Sequence, residues 1–133
     1  MSNTIDKLAW IAIHNKQALF VRSHNKTLFY SPGGKRDLGE SDQQALMREI
    51  QEELTVDLVP ASISYATSII APADGKAADV NVKLTCYFAD YVGKLTENAE
   101  IAEMKWLNYY DIEQCSAAGK KLLIWLKEQN LIE

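Results

Sequence analysis

Residues 34–56 read GKRDLGESDQQALMREIQEELTV, and no other stretch constrains the chain so tightly. Ser41 and Gln44 occupy the positions of a capping box, in which each side chain satisfies an orphan amide at a helix start, so a helix is predicted from about Asp42. Ala45, Leu46, Ile50 and Leu54 recur at helical spacing and form a stripe to be buried, with the helix ending near Leu54. Glu49, Glu52 and Glu53 stand at i, i+3 and i+4 away from that stripe, where their carboxylates crowd one face and repel. A fold that uses this helix must cover one side of it and either solvate or neutralise the other. Just upstream, Pro32-Gly33-Gly34 stops a strand and opens a sharply bent loop, because proline withholds a donor and glycine reaches backbone angles closed to other residues.

The remaining chain alternates strand and turn signals. Residues Ile5 to Ile13 are apolar on both strand faces, Leu8, Trp10 and Ala12 against Ala9, Ile11 and Ile13, which predicts a central strand covered on both sides. Turns at His14-Asn15-Lys16 and His24-Asn25-Lys26 bound a second strand, Ala18 to Arg22, and a short third one, Leu28 to Tyr30. Ser62 to Ile70 and Asp79 to Tyr91 read as two long strands around the turn-rich Ala71-Pro72-Ala73-Asp74-Gly75. The second alternates, with Val80, Val82, Leu84, Cys86 and Phe88 toward the core and Asp79, Asn81, Lys83, Thr85 and Tyr87 toward water or a ligand. A short strand from Glu103 to Leu107 and an amphipathic helix from about Ala117 to Gln129 close the chain. Strands and helices in this order predict an α/β (α+β) fold with a mixed sheet between helical layers.

At 133 residues and 15.0 kDa the chain suits a single domain, residues 1–133, with 47% apolar residues for one core. A net charge of −4 offers no basic footprint for nucleic acid, and a polyphosphate would be repelled unless cations intervened. Cys86 and Cys115 lack metal-ligand spacing and are too few for a disulfide framework, which predicts buried, inert thiols. No apolar run reaches the length of a membrane span and the start MSNTIDKLAW is too polar for a secretory signal, so a cytoplasmic protein without membrane attachment is expected.

Read as a spacing, Gly34 is followed by five residues and Glu40, seven residues and Arg48-Glu49, then Ile50, one residue, Glu52-Glu53, and the hydrophobic Val56. Six such identities at fixed offsets arise by chance with a probability of about 10⁻⁷ per starting position. This segment resembles the signature box of the Nudix hydrolases, MutT-like single-domain members included. The resemblance implies an α/β/α sandwich and a hydrolase that cleaves a diphosphate bond in a nucleoside diphosphate linked to another group. It implies Mg²⁺ or Mn²⁺ as cofactor, hard ions that take oxygen ligands and keep waters for exchange with phosphate. Glu52 and Glu53 are then the main metal ligands, and Glu49 either binds a further metal through water or acts as the base. The Gly33 carbonyl is a further ligand candidate. Arg48 orients Glu49 or Glu52, Glu40 anchors the loop or an outer-shell water, and Gly34 supplies loop geometry.

Outside the box the resemblance implies a further acid before the last strand, Glu100, with Glu97 and Glu103 as rivals. Arg22 and Lys35 are the candidates for gripping substrate phosphates, Arg22 favoured because a guanidinium offers two donors. Tyr30 and Tyr87 are candidates for base stacking, and Asn81, Lys83 and Tyr87 for reading the rest of the substrate. Trp106 stands where relatives carry a core tryptophan, and His14 and His24 are surface residues. One position departs from the box: Thr55 replaces the usual glycine near the helix end, and a β-branched residue tolerates positive φ poorly, which predicts a different terminating turn. The substrate expected first is a nucleoside triphosphate, oxidised forms included, giving nucleoside monophosphate and pyrophosphate. Alternatives are a catalytically silent Nudix-fold nucleotide sensor and an isomerase on the same fold, for which neither cysteine is suitably placed. A homodimer through a sheet edge is compatible with the strand pattern.

Overall fold

A computed structural model describes residues 3–133. In chain order the elements are β1 (Thr4–Ile11), β2 (Ile13–His14), β3 (Gln17–Ser23), β4 (Gly33–Gly34), α1 (Asp42–Leu54), β5 (Asp57–Leu58), β6 (Ser64–Pro72), β7 (Asn81–Phe88), β8 (Tyr91–Val92), β9 (Ile101–Leu107) and α2 (Ala117–Glu128). A four-stranded mixed sheet runs β4-β1-β7-β6, with β1 and β7 parallel and the outer pairs antiparallel. A second, antiparallel sheet runs β2-β3-β9, and β5 pairs with β8. No helix among the described residues is long and apolar enough to cross a membrane.

Alternation along β1 and β3 divides the core into two layers. Ala9 and Ile11 of β1 and Ala18 and Phe20 of β3 pack with Leu122, Leu123 and Leu126 of α2. Leu8 and Trp10 of β1 and Leu19 and Val21 of β3 pack with Ala45, Leu46, Ile50 and Leu54 of α1. The two helices therefore cover opposite faces, an α/β/α arrangement, and β1 is buried on both sides as its sequence predicts. The indole of Trp10, fully buried, satisfies its N–H on the Ala89 carbonyl at 2.9 Å. Cys86 and Cys115 are both buried and unbridged, and burial pushes each thiol up to about 12.

The helix limits agree with their capping chemistry. The Ser41 hydroxyl accepts from the Gln44 amide and the Gln44 side chain accepts from the Ser41 amide, closing the capping box. Ser116 caps α2 in the same way through the Gly119 amide. Thr55 corrects the expectation of a different turn: it takes the left-handed conformation itself, at φ 59° and ψ 25°. Leu54 and Val56, buried on either side of it, dictate the path, and the following loop meets the open carbonyls of the last turn. Thr96 donates to Leu54 and Asn98 to Glu53 and, through its side chain, Glu52.

Three strand expectations are corrected. Leu28 to Tyr30 forms no strand; Phe29 and Tyr30 make only isolated bridges, to Cys115 and Val21. The expected strand from Asp79 to Tyr91 is shorter at both ends and stops at Phe88, because Tyr91 and Val92 turn away to pair with β5. Its partner, expected from Ser62 to Ile70, runs two residues later, so Ala71 and Pro72 belong to β6 and the connecting loop starts at Ala73.

Candidate active site

The loop before α1 is drawn against β1 by its glycines. Trp10 donates its amide to the Pro32 carbonyl at 2.8 Å, and Gly33 and Gly34 pair with Ala9 and Leu8. Gly33 holds φ at +145°, and a Cβ there would strike the Leu8 carbonyl; at Gly34 it would strike the Glu49 carboxylate. Glycine is thus required at both positions for backbone to approach strand and carboxylate so closely. The Gly33 amide donates to Glu53 Oε1 at 3.1 Å, joining the loop to the helix.

Arg48 ties down the rest of that loop. Its Nε and Nη2 donate to the two Glu40 oxygens at 2.8 and 2.9 Å, a bidentate pair, and Nη2 also reaches the Lys35 carbonyl at 3.1 Å. Glu40 in turn accepts the Asp37 amide at 2.7 Å, and its bonds to Arg48 hold its pKa down at about 2. Nη1 of Arg48 donates to Glu49 at 2.9 Å and only distantly to Glu52, at 3.4 Å. The helical i, i+4 pair is therefore the weakest of the contacts Arg48 makes, and loop and Glu49 orientation is the stronger.

Glu53 is the anomalous group of the helix. It is 6% exposed, and burial pushes its pKa up to about 9, against the Gly33 amide, with Glu100 and Glu49 adding repulsion. Burial also raises Glu49, opposed by Arg48. Glu49, Glu53 and Glu100 line one end of a cleft of about 500 Å³ whose walls include Ile5, Lys7, Tyr30, Gly33, Gly34, Lys35, Val82 and Leu84. A buried carboxylate beside two others is costly unless it is protonated or meets a cation.

The donor set fits a hard divalent ion on that ground: oxygen ligands only, repelling one another, the most buried held neutral without a counter-charge. Glu53, Glu49 and Glu100 would hold it. Among the described residues no three such side chains already converge on one point, since Arg48 draws Glu49 and Glu52 is half exposed. Water and phosphate oxygens would complete the coordination shell.

Of the residues expected outside the box, Glu100, Lys35 and Tyr30 line the cleft, whereas Glu97 and Glu103 do not. Four expected substrate residues are corrected. Arg22 turns from the cleft to Glu103 at 3.3 Å and to the Ser23 and Lys26 carbonyls. Asn81, Lys83 and Tyr87 alternate onto the α1 face of β7, where the Tyr87 hydroxyl donates to Asp42 at 2.6 Å; the cleft meets Val82 and Leu84 instead. The apolar face of that strand, expected to be core alone, is partly cleft wall. Lys7 was missed altogether. Its one signal is a lysine interrupting an apolar strand, and on β1 it shares the cleft face with Ile5.

Residues 7–126 match the NUDIX domain profile. The chain belongs to the NUDIX domain family. Solved structures of the Nudix fold agree with it: the ORF135 protein of E. coli at 22% identity, covering 99% of this chain and 96% of that one with a TM-score of 0.74. The MutT protein of Methanosarcina mazei Go1 is 18% identical over 97% and 96% of the two chains, with a TM-score of 0.76. An ADP-ribose pyrophosphatase of Streptococcus suis is 17% identical over 96% and 92%, with a TM-score of 0.65. At these identities the likeness is one of fold. No curated protein sequence matches the chain. The Nudix box occupies residues 34–56, so the loop, Arg48 clamp and carboxylates described above are this chain's version of it.

Proposed function

We propose that this Nudix pyrophosphohydrolase cleaves a diphosphate bond in a nucleoside diphosphate linked to another group, with a divalent cation. A nucleoside triphosphate, oxidised forms included, is the first substrate, and nucleoside monophosphate and pyrophosphate are its products. The observation that carries this reading is a buried Glu53, beside Glu49 and Glu100, at one end of a cleft that also presents lysines. Nudix hydrolases in general use divalent metal ions, and Mg²⁺ or Mn²⁺ bound here would offset phosphate charge and lower the pKa of water.

Glu53 and Glu49, with Glu52 and the Gly33 carbonyl as the further ligands the box implies, hold the cation. Glu49 or Glu100 takes the proton of the attacking water as its oxygen bonds to phosphorus and the bridging P–O bond breaks. Arg48 acts through Glu49 and Glu40 rather than on substrate. Lys35 sits at the carboxylate end to meet phosphate oxygens, and Tyr30 offers a ring along the wall. The net charge of −4 supports a small nucleotide rather than nucleic acid as partner, and polar composition supports a cytoplasmic setting. β6 is a sheet edge with exposed Tyr65 and Ile70, which supports a homodimer.

The test is incubation with Mg²⁺ and a panel of nucleoside triphosphates, their oxidised forms, sugar nucleotides and dinucleotides, with products identified and Glu53→Gln as control. Cation-dependent release of a nucleoside monophosphate is expected. Failure to turn over any member would leave a nucleotide-binding module.

A further inference from the structure

Lys7 projects from β1 into the cleft, half-buried, and has no ion-pair partner among the described residues. Its apolar surroundings, Ile5, Val82 and Leu84, cannot solvate an ammonium. Burial accordingly lowers its pKa, and the charges acting on it are Lys35 and Lys76 on one side of the balance and Glu53 and Glu49 on the other. Lys7 thus lies between the carboxylate end of the cleft and the loop that joins β6 to β7.

That loop brings more positive charge. Lys76 lies on it and lines the cleft, and a Cβ on Gly75 would stand 3.4 Å from the Lys26 ammonium, which places Lys26 against the same loop. The loop's own lining acid, Asp74, is occupied, accepting the Tyr30 hydroxyl at 2.5 Å. Three ammonium groups therefore face this end of the cleft, one of them partly desolvated. An arrangement that costs stability in the free protein is offset when a ligand brings the opposite charge.

We infer that Lys7, with Lys26 and Lys76, forms an anion site beyond the scissile diphosphate. It selects nucleotides whose second group carries its own negative charge, a third phosphate or a phosphorylated moiety, over those whose second group is a neutral sugar. The inference rests on the hydrolase reading only for which bond is cut; the anion site itself does not require turnover.

The experiment compares kcat/KM for a nucleoside triphosphate and for a nucleoside diphosphate joined to a neutral hexose, in wild type, Lys7→Met, Lys7→Arg and the exposed Lys94→Met. Calorimetric binding of inorganic tripolyphosphate is measured on the same four proteins. Lys7→Met is expected to lose about tenfold on the triphosphate, as for one charged hydrogen bond, and to keep the hexose conjugate within about twofold. Tripolyphosphate affinity should fall in step, Lys7→Arg should restore most of it, and Lys94→Met should leave all three readouts unchanged. An equal loss on both substrates, or no loss on either with unchanged tripolyphosphate binding, would overturn the anion site while leaving the hydrolase intact. If wild type turns over nothing yet binds tripolyphosphate through Lys7, the hydrolase reading fails and the anion site stands.

Discussion

On α1 the Arg48 guanidinium and the Glu53 carboxylate share a 13-residue helix, yet Arg48 is matched against acids on several sides while Glu53 is buried among acids. Arg48 and Glu40 neutralise each other and bind loop to helix, which is what a charge contributes to structure. Glu53 meets one amide and two like charges, which no purely structural role requires. The difference teaches where to look for chemistry on a charged helix: at the charge left without its counter-charge, not at the greatest density of ion pairs.

The contrast is tested most severely by Glu53→Gln, which removes the uncompensated charge and keeps the shape. Activity should fall by about 10³-fold, the size of losing a principal electrostatic contact to the reacting group. The same substitution should abolish the rise in melting temperature that Mg²⁺ gives wild type, a readout independent of turnover. Gly34→Ala attacks from the loop side, because its Cβ would displace the Glu49 carboxylate. Turnover should drop about 10²-fold, as for a misplacement of roughly an ångström, while circular dichroism still reports a folded protein.

Glu40→Gln disturbs the matched pair instead, and its effect is on pH dependence. Glu40 has a folded pKa near 2 against an ordinary value of 4.5, so its contribution is fully present above pH 4.5 and is lost as pH falls through about 2. Wild-type stability should therefore decline across that window, and Glu40→Gln should be less stable at pH 7 with a flatter acid limb in urea titrations. Smallest of all, Thr55→Gly should stabilise by about 1 kcal/mol in the same titrations, since threonine in the left-handed region carries strain that glycine does not. A destabilisation would show that the Thr55 side chain contributes more than its 3.5 Å contact with the Lys94 carbonyl suggests.

Much of α1 could be read before any fold was known. The Ser41 to Gln44 capping box, the stripe to Leu54 and the acidic face are all set by contacts within a few residues, and each lies where its spacing predicts. β1 was equally readable, because alternation at period two assigns each residue to a face whatever the partner. Phe29 and Tyr30 were not: strand-forming residues make a strand only where a partner continues the ladder, and here Val21 and Cys115 offer single bridges. The path after Phe88 depended on β5, far away in sequence.

The sharpest contrast of this kind is on β7. Alternation separates Val82 and Leu84 from Asn81, Lys83 and Tyr87 without saying which set meets the cleft. α1 covers the polar set, and the gap beside α2 and the β6–β7 loop opens over the apolar one, so a face that reads as core lines the site. Spacing within the chain was enough to establish the helix, its capping, its crowded glutamates and the family they belong to, because those rest on local hydrogen bonds and on the order of residues. Tertiary packing alone decided that Glu53 is buried beside Glu100, that Arg48 serves Glu40, that Thr55 accepts a strained turn and that Lys7 points into the cleft. Burial and charge proximity arise between segments distant in sequence, and no periodicity encodes them.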